Sequence, residues 1–155
     1  MAKWGSVDLS QLKTLQTKFE ELEKVDVDKF YEEAIKDIAQ RLLARVKQKT
    51  PVGVYEESGK KGGTLRRNWT ISKNVTKQGT TYSIEIINPI EYASYVEYGH
   101  RQEVGRYVPA IGKKLVKPWV EGKFMLTISE VEVEALTPKL LQARLNKMLK
   151  GKMNA

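Results

Sequence analysis

The stretch FYEEAIKDIAQRLLARVKQKTPV, residues 30–52, decides the fold. Phe30, Ala34, Ile35, Ile38, Ala39, Leu42, Leu43 and Val46 recur at spacings of three and four and form one broad apolar stripe. Glu32, Glu33, Lys36, Asp37, Gln40 and Arg41 take the other face. A stripe this wide predicts a helix laid across a sheet. Acids lead and Arg45, Lys47 and Lys49 trail, the order that the helix dipole favours. Pro51 ends the helix, because the residue before a proline avoids the α region.

Working back toward the N-terminus, Leu9, Leu12, Leu15, Phe19 and Leu22 predict another helix over residues 9–24, with Asp8 as its cap and Gln11 completing a capping box. Val25-Asp26-Val27-Asp28 breaks the period, and Asp26 or Asp28 is expected to cap the next helix. Working forward, Gly53, Gly59, Gly62 and Gly63 predict a mobile loop over 51–64, made basic by Lys60 and Lys61.

Residues 65–75 and 81–87 are expected to be strands. Trp69, Ile71 and Lys73 share one face of the first; Tyr82, Ile84 and Ile86 share one face of the second. Gln78-Gly79 supplies the turn of an antiparallel hairpin, and Asn88-Pro89 ends it. Residues 90–98 predict a short helix or tight turn closed by Gly99. Residues 101–114 read as a loop, with a strand near Tyr107-Val108. Two C-terminal helices are expected, one over 122–136 and a second begun by Thr137 as cap and Pro138 at its first position. Helices, then strands, then helices, with no βαβ alternation, predict an α+β domain: an antiparallel sheet packed by the long helix, with extra N-terminal and C-terminal helices. The expected division of this one domain is an N-terminal helix over 1–26, a core over 27–120 and a helical extension over 121–155.

Composition narrows the function. The 155 residues include no cysteine, which removes disulfides, zinc–thiolate sites and cysteine nucleophiles. His100 is the only histidine and no carboxylate cluster accompanies it, so no metal or cofactor is expected. No apolar run approaches the roughly 18 residues of a membrane span, and the start lacks a signal-peptide core, which predicts synthesis in a cytoplasm and no membrane partner. Glu97 and His100 stand three apart, but no nucleophile motif or phosphate loop accompanies them, and an enzyme is not expected. The net charge of +8 keeps open a nucleic-acid-binding protein, although the basic residues lack aromatic interleaving or a recognition-helix pattern.

Three segments carry a resemblance. They are Thr50-Pro51-Val52 after the long helix, Gly63-Thr64-Leu65-Arg66-Arg67-Asn68-Trp69, and Glu91-Tyr92-Ala93-Ser94-Tyr95-Val96-Glu97-Tyr98-Gly99-His100. In order and spacing, over roughly residues 28 to 120, they resemble the tail-component family of long-tailed bacteriophages, the tail-completion or head–tail joining (neck) proteins. The loop before Gly63 is longer than the family's short turn, and Gly63-Thr64 stands where the family has Thr-Gly. The resemblance implies a small α+β subunit of a hexameric ring in the virion, made in the host bacterium. Its implied partners are copies of itself, the head connector or adaptor, and the tail terminator or tail-tube protein, with passing DNA touched only non-specifically. A tail terminator capping the tube is the alternative.

On this reading Arg66, Arg67, Tyr92, Tyr95, Glu97, Tyr98 and His100 are expected at subunit or partner interfaces, and Lys60 and Lys61 on a loop facing a partner or the DNA channel. Planar, permanently charged guanidinium suits both acids and phosphates, and tyrosines are enriched at interfaces. Trp69 is expected to pack beneath the long helix.

Overall fold

A computed structural model describes residues 17, 20, 27–54 and 61–153. The helix expected over 9–24, the Asp26 cap and Lys60 lie outside the described residues or almost wholly so.

Helix α1 spans Val27–Lys49 and buries Ala34, Ala39 and Val46. Small residues at two of those positions let another element approach closely, and helix α4, Met125–Met153, does so. The two run antiparallel. Glu33 near the start of α1 pairs with Arg144 at 2.6 Å, while Arg45 and Lys49 near its end clasp Glu132 at 2.5 and 2.8 Å. These two basic partners hold the Glu132 carboxyl below its ordinary range.

Between the long helices the chain forms short elements: α2 Thr64–Arg67, β1 Thr70–Ile71, β2 Thr76–Gln78, β3 Thr81–Ser83, β4 Ile86–Ile87, α3 Ala93–Tyr98, β5 Gly99–Arg101, β6 Tyr107–Val108, β7 Lys113–Lys114 and β8 Trp119–Glu121. The strands pair antiparallel as β1–β4, β2–β3, β5–β8 and β6–β7. The domain is α+β as expected, with its sheet resolved into small pairs. The 81–87 alternation holds, with Tyr82, Ile84 and Ile86 half-buried and Ser83 and Glu85 exposed. The hairpin turns at Gly79, whose φ of 60° is open to glycine.

The core is Val46 of α1, Leu65 of α2, Trp69 and Met125 of α4, flanked by Leu42, Leu43, Ile86, Ile90, Ala93, Val96 and Leu126. Trp69 lies there as expected. The segment around it differs from the expected strand. Residues 64–67 are helical, because Leu65 and Trp69 must enter the same core and a spacing of four puts them on one face of a turn. The two C-terminal helices are one. Pro138 lies inside α4, and Thr137, expected as a cap, donates its hydroxyl to the Val133 carbonyl at 2.9 Å. Packing along α1, where Val133, Leu136 and Leu140 face Arg41 and Ala44, outweighs the hydrogen bond that proline forfeits.

The loop expected over 101–114 is half of a hairpin. Beyond β5–β8, Gln102 N–H donates to Pro118 O at 2.9 Å, Gly105 N–H to Leu115 O at 2.8 Å and Leu115 N–H to Arg106 O at 2.9 Å, before β6–β7 closes on a 3-10 turn at Pro109–Ile111. The strand near Tyr107-Val108 is therefore one piece of an arm running from Gly99 to Glu121.

The first turn of α1 is tied to the β2–β3 hairpin. Lys77 Nζ donates to Asp28 Oδ2 at 2.7 Å, the Tyr82 hydroxyl donates to Asp28 Oδ1, and the Tyr82 ring stacks on Tyr31 with centroids 5.3 Å apart. Asp28, expected as a cap, serves as this clasp. Hydrogen bonds from Lys77 and then Tyr82 hold its carboxyl below the ordinary value. A carboxyl depressed in the folded state stabilises above its unfolded pKa, and that contribution disappears as pH falls through the folded value. Chemical denaturation of the wild type and Asp28→Asn across pH should show a gap near neutrality that closes on the acid side. The effect is small because the clasp is solvent-exposed.

Candidate functional site

Around the end of α1 the motif residues form one bonded cluster. Thr50 is fully buried; its N–H and its hydroxyl both donate to the Val46 carbonyl, at 2.9 and 2.6 Å. The same hydroxyl accepts from the Trp69 indole N–H at 2.9 Å. Because Pro51 stops the helix, the Thr50 carbonyl has no helical partner. Arg66 supplies two, donating from Nε at 3.0 Å and from a terminal nitrogen at 2.7 Å. The Thr-Pro and Leu-Arg-Arg-x-Trp segments are thus two halves of one junction between α1 and α2. Arg67 is more exposed and donates to Gly62 O at 2.9 Å, bracing the neck of the loop that Lys61 edges.

Arg66→Ala should cost about 2 kcal/mol, the range for stripping charged donors from a buried acceptor. Arg66→Lys should recover only part of that, since one ammonium cannot copy the fork. Urea denaturation of the two variants tests both.

The second cluster lies on α3. Tyr92, Tyr95 and Tyr98 are all exposed, the last two by more than half, at 57% and 62%. Their spacing of three places them along neighbouring positions of one short turn. His100 packs beside Tyr95 with ring centroids 5.7 Å apart, and its Nδ1 is buried without a hydrogen-bond partner.

Glu97, on the inner side of the same helix, is only 4% exposed. Its carboxylate accepts from Leu126 N–H and Thr127 N–H, both at 2.9 Å, and from the Thr127 hydroxyl at 2.8 Å. These are the first free donors of α4, so Glu97 caps a helix that starts 28 residues later. Its own carbonyl accepts Phe124 N–H at 3.0 Å, and Val96 O accepts Lys123 N–H at 2.8 Å. The structure thus gives Glu97 and Arg66 internal duties and leaves the tyrosines facing outward. The signal for Glu97 was hard to read in advance, because a cap supplied from across the fold has no local spacing.

The family model described as "Bacteriophage HK97-gp10, putative tail-component" matches residues 13–99. That is more than half of the chain. The chain belongs to the HK97-gp10-like family of phage tail components. No curated protein matches, and no solved structure matches. All three motif segments fall in the matched span up to Gly99. The 101–121 arm and α4 lie beyond it. Membership makes this a structural tail component of a bacteriophage. Among the described residues, no helix is long and apolar enough to cross a membrane.

Proposed function

We propose that the chain is a neck or tail-completion subunit, forming a hexameric ring that joins the tail to the head connector. The observation that carries this reading is the exposed tyrosine row of α3, within the matched family span and on a helix fixed from behind by the Glu97 cap. Aromatic side chains held rigidly in water are suited to a protein interface, where they bury large area at little entropic cost. His100, packed beside Tyr95, belongs to the same region, and Arg67 with the basic loop edge at Lys61 offers further polar contacts to connector, terminator or tube proteins. DNA passing through the ring meets only non-specific charge. Family membership supports a structural rather than a catalytic role.

Deleting the gene from its parent phage or prophage and imaging the induced lysate by negative stain tests the reading. Filled heads beside separate tails of normal length are expected. Overlong tails would move the protein to the terminator position, and intact infectious particles would overturn both.

A further inference from the structure

Two surfaces of the chain lack a covering. The first is the arm from Gly99 to Glu121. Strands β6 and β7 pack chiefly on each other, and nearly every residue between 101 and 119 is exposed or half-exposed. An isolated two-stranded hairpin is marginal in water. This one carries Tyr107, Ile111 and Val116 exposed by 56%, 53% and 79%. Arg106, Lys113 and Lys114 flank them, with no ion-pair partner among the described residues. An arm of this composition needs an acidic, partly apolar seat.

The second surface provides one. A groove of about 240 Å³ lies between α1, the β3–β4 region and the start of α4, lined by Ile35, Ile38, Leu42, Ile84 and Ile86, with Glu130 at its rim. Its aliphatic walls are half-buried and therefore still reachable. An apolar cavity of roughly 150 Å³ admits a benzene-sized group, so this groove has room for a ring such as that of Tyr107 or for the Ile111 side chain. Glu130 and Glu134 stand one turn apart on α4, exposed and without an ion-pair partner among the described residues.

We infer that the apolar tip of the arm of one subunit inserts into the α1–α4 groove of a second copy of the same chain, with Lys113 and Lys114 meeting Glu130 and Glu134. Arm and groove are different surfaces, so the contact is head-to-tail and propagates around a closed ring. This rests on the ring reading proposed above and supplies its contact. The arm beyond Gly99 lies outside the matched family span, while Ile35, Ile38, Leu42, Ile84 and Ile86 of the groove lie within it. The pairing also gives the tip's exposed apolar groups a place to leave water, while the lysines discourage strand-to-strand aggregation of the free arm.

The absence of cysteine makes the test clean. Full-length Ile111→Cys and full-length Ile38→Cys, carrying different tags, are mixed, oxidised and run on a non-reducing gel, with light scattering of the same samples. A disulfide-linked heterodimer is expected, with little of either homodimer. A third variant, Gly79→Cys at the hairpin turn, should not cross-link to Ile111→Cys. Oligomers on light scattering without the heterodimer would overturn the arm contact and leave the ring reading standing. Monomers throughout, with no cross-link, would overturn the arm contact and remove support from a self-assembling ring. A charge swap adds a second readout. Lys113→Glu with Lys114→Glu should raise the assembly midpoint about tenfold, the size expected for two lost cross-interface pairs, and Glu130→Lys with Glu134→Lys in the same chain should restore it. Failure of restoration would overturn the seat assigned to the arm.

Discussion

Replacing Glu97 with alanine will destabilise the subunit by about 3 kcal/mol, the cost of stripping a buried carboxylate from several donors at once. Leu126 N–H, Thr127 N–H and the Thr127 hydroxyl all lose their acceptor together. The first two are orphan donors of a helix terminus, and the lost negative charge also stood at the positive end of the α4 dipole. Nothing nearby can substitute. Phe124, the residue before the helix, has no capping side chain and sits at a φ of 47°, an uncommon conformation outside glycine. Glu97→Gln separates the contributions. One of its two polar ends becomes an NH2 group facing an N–H donor, so the variant should fall between wild type and alanine. Glu97→Asp keeps the charge but is one methylene short of the α4 donors. Urea denaturation of all three should give the order wild type, then glutamine or aspartate, then alanine. An alanine variant as stable as wild type would mean that α4 does not depend on this cap.

The long helix, the hairpin at Gly79 and the burial of Trp69 were legible because each follows from local periodicity or turn chemistry. Residues 27–49 repeat their apolar stripe through six turns, and no tertiary contact is needed to see it. The same logic held only in part at 65–75, where Thr70–Ile71 is a strand paired with Ile86–Ile87 but Thr64–Arg67 is helical. Trp69, Ile71 and Lys73 alternate as a strand would, yet Leu65 and Trp69 are four apart and both buried, and that helical spacing prevailed. The continuous α4 breaks the expectation at Pro138 because a proline cost is local, whereas the packing of α4 along α1 runs on both sides of it, from the Glu132 pairs with Arg45 and Lys49 to the Arg144–Glu33 pair. The arm was missed because its strands carry no clean alternation. Only the ladder from Gln102–Pro118 to Tyr107–Lys114 reveals it. For the site, residue type suggested an interface at the tyrosines, and the structure leaves all three exposed. Residue type could not reveal that Arg66 and Glu97, typical interface residues by chemistry, are spent inside the subunit on the Thr50 carbonyl and the α4 N-terminus.

Those two internal duties and the outward tyrosines belong to one design. The Arg66 fork locks α2 to the end of α1, and Glu97 locks α3 to the start of α4, so the exposed face between them is mounted on both long helices. A subunit that must present a fixed surface to its partners gains from this, because rigid side chains lose less freedom on binding.

The root of the arm offers the sharpest test of that rigidity. Gly99 and Gly122 face one another where β5 leaves α3 and β8 returns toward α4. A Cβ on Gly122 would lie 2.3 Å from the Glu97 carbonyl oxygen, 2.6 Å from the Tyr98 carbonyl carbon and 2.8 Å from Gly99 N. All three are backbone atoms and cannot rotate away. On the other side, a Cβ on Gly99 would lie 2.5 Å from the Val120 oxygen, and the φ of 85° there is itself hostile to a side chain. Gly122→Ala must therefore push the two strands apart. Doing so lengthens the Phe124-to-Glu97 and Lys123-to-Val96 backbone bonds of 3.0 and 2.8 Å and draws the Glu97 carboxylate off the α4 donors. The expected loss is about 3 kcal/mol or more, the upper range for forced overpacking with hydrogen bonds broken as well. Gly79→Ala is the control: a Cβ there meets nothing within 4 Å, so its cost is confined to the positive φ and should be smaller. Because Gly122→Ala and Glu97→Ala damage the same junction, their double mutant should lose less than the sum of the two singles. A fully additive double mutant would show that the glycine crossing and the carboxylate cap act separately, and that the arm is not held by the same joint that starts α4.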